Sequence, residues 1–104
     1  MLYQQGDVLI ETVDAIPEEI NETEMRNGRY ILADGEVTGH AHAVRPDVDI
    51  KVFGEIGNMF LSAAKAFSVT HEEHKVITVP AGKYRVRQVK EYDHFLEEAR
   101  TVKD

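Results

Sequence analysis

The sequence predicts a mainly β protein, a small antiparallel barrel or sandwich. Short β-branched or alternating apolar runs recur along most of the chain. Tight-turn signals separate them, among them Asn27-Gly28, Asp34-Gly35 and Pro80-Ala81-Gly82. Seven or eight such runs follow one another at intervals of about 8–12 residues, the rhythm of antiparallel sandwiches and barrels.

Asp7 to Val13 is apolar and β-branched, with Val8, Ile10 and Thr12 on one face. Asp14 to Met25 is acidic and contains Pro17, which predicts an exposed loop with at most one helical turn after the proline. Asn27-Gly28 then turns the chain into a strand from Arg29 to Ala33. Asp34-Gly35 turns it again, and Val37 to Val44 is the natural hairpin partner. Pro46-Asp47 marks a further turn. Val48, Ile50 and Val52 alternate with Asp49 and Lys51, the pattern of a half-buried strand.

Gly54 to Asn58 reads as a turn. Met59 to Ala63 and Ala66 to Thr70 are weaker strand candidates, and the alanines between them also suit a helical turn. Lys75 to Val79 is a strand, Pro80-Ala81-Gly82 a turn, and Lys83 to Tyr92 the longest strand. Phe95, Ala99 and Val102 recur at helical spacing, which predicts a short C-terminal helix or ordered tail. No internal repeat, low-complexity tract or linker interrupts the chain, so residues 1–104 are expected to form a single β domain.

Composition narrows the function classes. At 42% hydrophobic and 30% charged residues the chain belongs with globular rather than disordered proteins. It has no cysteine, which excludes disulfides, thiolate metal sites and a cysteine nucleophile. The net charge of −7 repels a phosphate backbone. Arg85, Arg87 and Lys90 cluster, but Glu91 and Asp93 follow at once, so nucleic acid is not a favoured partner. No apolar run approaches the roughly 18 residues of a membrane span. Met1 to Gly6 lacks the basic and apolar regions of a signal peptide, so a soluble cytoplasmic protein is expected.

The chemistry-bearing residues are histidines. Four of the five fall into two close pairs, His40 with His42 and His71 with His74. A neutral imidazole offers a lone pair at physiological pH, which makes histidine the commonest metal ligand. On a strand, residues two apart share a face, so His40 and His42 would project together. His71 and His74 are three apart and would diverge on a strand, but converge if His71-Glu72-Glu73-His74 is a turn. Glu72 and Glu73 would then stand nearby as ligands, acceptors for the imidazoles or a general base. Without a metal, the same residues make an ordinary polar turn and a packed strand.

Arg85 and Arg87 share a strand face. They suit either bidentate capture of a carboxylate or phosphate, or pairing with acids on an adjacent strand. Glu91-Tyr92-Asp93-His94 places the fifth histidine beside two carboxylates at a strand end. Ser62 and Ser68 lack any nucleophile context, and there is no phosphate-binding glycine loop or metalloprotease helix motif.

Gly35, His40 and His42, with Asp47 and Gly54 further on, resemble the first cupin motif, and Pro80-Ala81-Gly82 resembles the Pro-x-Gly of the second. The resemblance implies a small antiparallel β fold with His40, His42 and Asp47 as metal ligands. The histidine of the second motif would fall near Arg85, where this chain has none. Over most of its length the chain is similar to a family of small uncharacterised proteins of bacteria and phages. Gly6-Asp7-Val8-Leu9, Gly35 to His42, His71 to His74, and Pro80 to Arg87 through Glu91-Tyr92-Asp93 carry that likeness. It implies a compact β domain and brings no activity.

Three functional readings follow. The first is a small binding protein with a metal site at His40, His42, His71 and His74, taking a divalent transition metal whose identity sequence does not choose. The second is a small metal-dependent, cupin-like enzyme with Glu72 or Glu73 as base. The third is a phage or bacterial accessory protein that works through a protein interface, or through self-association at an edge strand, with structural histidines.

Overall fold

The computed structural model describes residues 1–89; the expected C-terminal helix or tail and His94 lie outside the described residues. Nine strands follow one another: β1 (Leu2–Gln5), β2 (Val8–Thr12), β3 (Tyr30–Asp34), β4 (Ala41–Val44), β5 (Ile50–Glu55), β6 (Asn58–Ala63), β7 (Phe67–His71), β8 (His74–Val79) and β9 (Gly82–Gln88). They form a five-stranded sheet in the order β1-β2-β9-β6-β5 and a four-stranded sheet in the order β3-β4-β7-β8. Every pairing is antiparallel. The sheets pack together as a sandwich and do not close into a barrel.

Alternation along the strands builds the core. Val8 and Ile10 of β2, Met59 and Leu61 of β6, and Tyr84 and Val86 of β9 point inward from the larger sheet. Leu32, Val44, Phe67, Val69 and Val79 meet them from the smaller one. Tyr84 also donates its hydroxyl to Pro80 O at 2.8 Å, so its buried polar end has a partner.

The turns follow their residues. Asn27 and Gly28 have φ values of 56° and 79°, the two positive angles of a type I′ turn, with Arg26 and Arg29 bridged across it. The acidic segment after β2 remains a loop, but part of it lies along the edge of β5. Thr23 N–H donates to Val52 O, Gly54 N–H donates to Asn21 O, and Glu22 bridges Phe53. This covers strand-edge groups that would otherwise be open to pairing with another chain. On the outer face of the large sheet, Arg87 Nη2 lies 3.2 Å from Glu11 Oε1, so this arginine is used between strands.

Three sequence expectations change. β1 precedes the first expected strand; Leu2-Tyr3-Gln4-Gln5 is too polar to announce itself, and its pairing with β2 makes it a strand. The expected strand from Val37 shortens to Ala41–Val44, because Val37 O accepts from His40 N–H at 3.0 Å and holds the preceding residues in a turn. Val48 belongs to the turn before β5 and is 92% exposed, whereas Ile50 and Val52 are buried as the alternation requires.

Leu61→Ala is expected to destabilise the protein by about 2–5 kcal/mol, because it opens a cavity between the sheets. Val48→Ala should change stability by no more than about 0.5 kcal/mol. Chemical denaturation of both variants checks the pair; an equal loss would contradict the assignment of Val48 to the turn.

Candidate metal centre

The cluster begins with a one-residue shift in strand register. β7 and β8 form a hairpin in which His71 pairs with His74 across Glu72 and Glu73, so the three-residue spacing is the span of a turn. Between the pairs Val69–Ile77 and His71–His74 the register shifts, with Thr70 facing both Lys75 and Val76. A bulge of this kind re-aims the side chains beyond it. His71 continues the inward alternation of Phe67 and Val69, and the extra residue in β8 brings His74 to the same side.

His42 comes from β4, where Ala41 and Ala43 point outward and His42 and Val44 face the core. β3 carries its own bulge between Ile31 and Ala33, which sets His42 opposite Ala33. The result is three imidazoles at one end of the sandwich. Ring centroids are 4.4 Å apart for His42 and His71, 4.5 Å for His71 and His74, and 5.5 Å for His42 and His74. One ligating nitrogen from each lies within 4.8 Å of the others.

Gln5 fixes the orientation of His42. It is 2% exposed, and its amide nitrogen donates to Val69 O at 2.9 Å and to Lys75 O at 2.8 Å. Both donors are thereby used on carbonyls. Its oxygen, which only accepts, lies 2.8 Å from His42 Nδ1. The proton of that bond must come from the imidazole, so Nδ1 carries it, and in the neutral ring Nε2 keeps a lone pair. A metal-ligating histidine needs this arrangement, in which a hydrogen bond at one nitrogen settles the role of the other.

Close approach of backbone closes the site. Gly6 opens the turn between β1 and β2 with φ +58°, and a Cβ there would stand 2.9 Å from His74 Nε2 and 3.2 Å from His42 Cε1. At Gly35 a Cβ would stand 2.8 Å from His71 Nε2. Glycine at both places lets the chain lie against the rings. The cavity they bound has a volume of about 380 Å³, with Asp7, Asp34, Glu36 and Glu73 among its lining acids.

His40 lies outside the group of three. It precedes β4, its ring centroid is 6.0 Å from that of His71, and its Nδ1 is 3.1 Å from Glu73 Oε2. Glu72 is committed elsewhere: Oε1 accepts from the Ala41 N–H at 2.9 Å and Oε2 lies 3.8 Å from Arg29 Nη1. The Ala41 bond, above all, holds its carboxyl below the usual range. It ties the hairpin tip to the start of β4 and is poorly suited to act as a base. Asp47, a ligand in the cupin resemblance, bonds Lys65 at 3.1 Å and is not one of the clustered residues.

Burial, followed by the neighbouring His74, holds the His71 imidazole below its ordinary pKa and favours the neutral form that a metal needs. Its Nδ1 accepts the Glu73 backbone N–H at 2.9 Å, which places the neutral ring's proton on Nε2. Ligation through either nitrogen of His71 gives up that hydrogen bond in exchange for the metal.

Sequence reasoning found the histidines and missed Gln5, which bonds both His42 and the β7–β8 hairpin. A polar residue at an inward strand position, directly before glycine, was the available signal.

A family model, described as a domain of unknown function (DUF8820), matches residues 4–89. The chain belongs to that family. Curated proteins give no match, and neither do solved structures. The DUF8820 region contains the whole cluster, from Gln5 and Gly6 through the three histidines. Among the described residues no helix is long and apolar enough to cross a membrane.

Gln5→Leu is expected to cost about 1–3 kcal/mol of stability, because it removes the partner of the buried Val69 carbonyl, of the part-buried Lys75 carbonyl and of the His42 Nδ1–H together. Thermal or urea unfolding checks this. A neutral outcome would show that the amide does not organise this end of the sandwich.

Proposed function

We propose that this DUF8820 protein is a small divalent-metal-binding protein, with His42, His71 and His74 as ligands and His40 at the margin of the site. The observation that carries the reading is the convergence of three ring nitrogens within 4.8 Å, one of them set by the buried Gln5. In a tetrahedral zinc shell with bonds of about 2.0–2.1 Å, ligand atoms are roughly 3.4 Å apart. Closing from 4.8 Å asks the half-buried His71 and His74 rings to turn toward the buried His42. The acidic lining favours a cation over an anionic ligand.

With no thiolate available, the donor set is imidazole and carboxylate, which suits zinc, nickel, iron or manganese. Binding inside the bacterial cytoplasm, the setting expected from the sequence, belongs to this proposal too. The roles differ from those expected of the His40–His42 pair: His42 faces the core as a ligand, and His40 pairs with Glu73.

Metal analysis by elemental mass spectrometry, before and after chelation, tests the reading. Wild type and His40→Ala should hold near-stoichiometric metal, whereas His71→Ala and His74→Ala should lose most of it. Protein that is metal-free and does not take up added zinc, nickel or iron would overturn the proposal.

Metal uptake should also depend on pH in a definite direction. Protons compete for the same lone pairs, so binding is full at pH 7.5 and falls on acidification below about 6.5, the ordinary imidazole value. His71, with its depressed pKa, resists protonation to a lower pH than an ordinary histidine. Zinc titrations across pH 5–8 check the sign, and binding that strengthened on acidification would contradict imidazole ligation.

A further inference from the structure

We infer that Asp7 is the fourth ligand, so that the site is a filled His₃Asp shell built to hold a metal rather than to activate a water molecule. The inference rests on the metal-binding reading above. Asp7 Oδ1 lies 3.6 Å from His42 Nε2, the nitrogen that the Gln5 bond leaves as an acceptor. That distance is too long for a hydrogen bond, for which about 2.7–3.2 Å is usual. It is close to the roughly 3.4 Å separating two ligands on one tetrahedral zinc.

The rest of Asp7 is held in place. Oδ2 accepts from Gln88 Nε2 at 2.9 Å, and the backbone carbonyl accepts from Val89 N–H at 2.8 Å. One carboxylate oxygen is thus anchored to the end of β9 while the other lies beside the His42 imidazole. Gly6 immediately before it lies against His74 and His42, so the turn that carries Asp7 already touches two of the three ligands. Three other nearby acids have other engagements. Glu72 bonds Ala41 N–H, Asp34 pairs with Arg26, and Glu73 faces His40.

Charge points the same way. Three neutral imidazoles leave a dication uncompensated at a half-buried site, and one carboxylate halves that charge. With four protein ligands a tetrahedral ion has no open position, which is the mark of a structural or storage site; catalytic zinc keeps one position for water or substrate.

The experiment uses the full chain loaded with cobalt(II), whose visible spectrum reports coordination, and zinc titrated against a chromogenic chelator. The wild-type cobalt spectrum should be four-coordinate and unchanged by added azide. Asp7→Asn, which keeps the size and turn preference of aspartate, should weaken zinc binding at least about 10-fold and make the cobalt spectrum respond to azide. Glu36→Gln, which removes an equal charge from the cavity lining, should stay within twofold of wild type. Two results would overturn the inference while metal binding stands: a wild-type spectrum that shifts with azide, or equal losses in Asp7→Asn and Glu36→Gln. Wild-type protein that binds neither ion would instead remove the reading on which it rests.

Discussion

The buried amide of Gln5 is the interaction on which this end of the molecule depends. Gln5 closes β1, at the margin of the five-stranded sheet, and both its donors reach carbonyls of β7 and β8 in the other sheet. Its oxygen then receives the His42 Nδ1–H from β4. One side chain therefore joins the two layers and sets a tautomer. Inside a protein such a polar group stabilises only when every donor and acceptor is used, and the three bonds of Gln5 meet that condition. An apolar residue of the same size would still fill space, but it would leave the histidine without a preferred orientation.

The acids and the glycines divide the remaining work. Gly6 and Gly35 bring backbone against the rings, which a side chain at either place would prevent. Glu72 fastens the β7–β8 tip to Ala41, so the hairpin carrying two of the histidines is tied to the strand carrying the third. These contacts make the cluster a consequence of backbone geometry as much as of side-chain choice. They also explain why His40, two residues from His42, is not its equivalent: a turn ends at His40 and the strand begins at Ala41.

Much of the fold was legible because turns and alternation are local signals. Asn27-Gly28 dictates its turn through two positive φ angles, and Ile50 with Val52 declares an inward face. The His71–His74 turn followed from spacing alone, since the pair could not converge along a strand. Val48 was misread because alternation continues for one residue beyond the strand itself. What no local pattern revealed was the register of β3 against β4 and of β8 against β7, where an extra residue in β3 and in β8 shifts the pairing by one. Gln5 was illegible for a related reason: its partners lie 37 to 70 residues away, and only the packing of the sheets brings them together.

That long-range character bears on what a bound metal would do for the chain. The proposed ligands come from the β1–β2 turn, from β4 and from the β7–β8 hairpin, segments that share few local contacts. Closing contacts between distant parts of a chain is the entropically costly part of forming a β sandwich. An ion held by all of them exists only in the folded state, so its binding free energy adds to folding stability. The cluster would then act as a clasp on one end of the sandwich, in a protein that has no disulfide for the purpose. A clasp of this kind needs a filled coordination shell and a rigid support. In the proposed site, Asp7, held by Gln88, and His42, held by Gln5, would supply both.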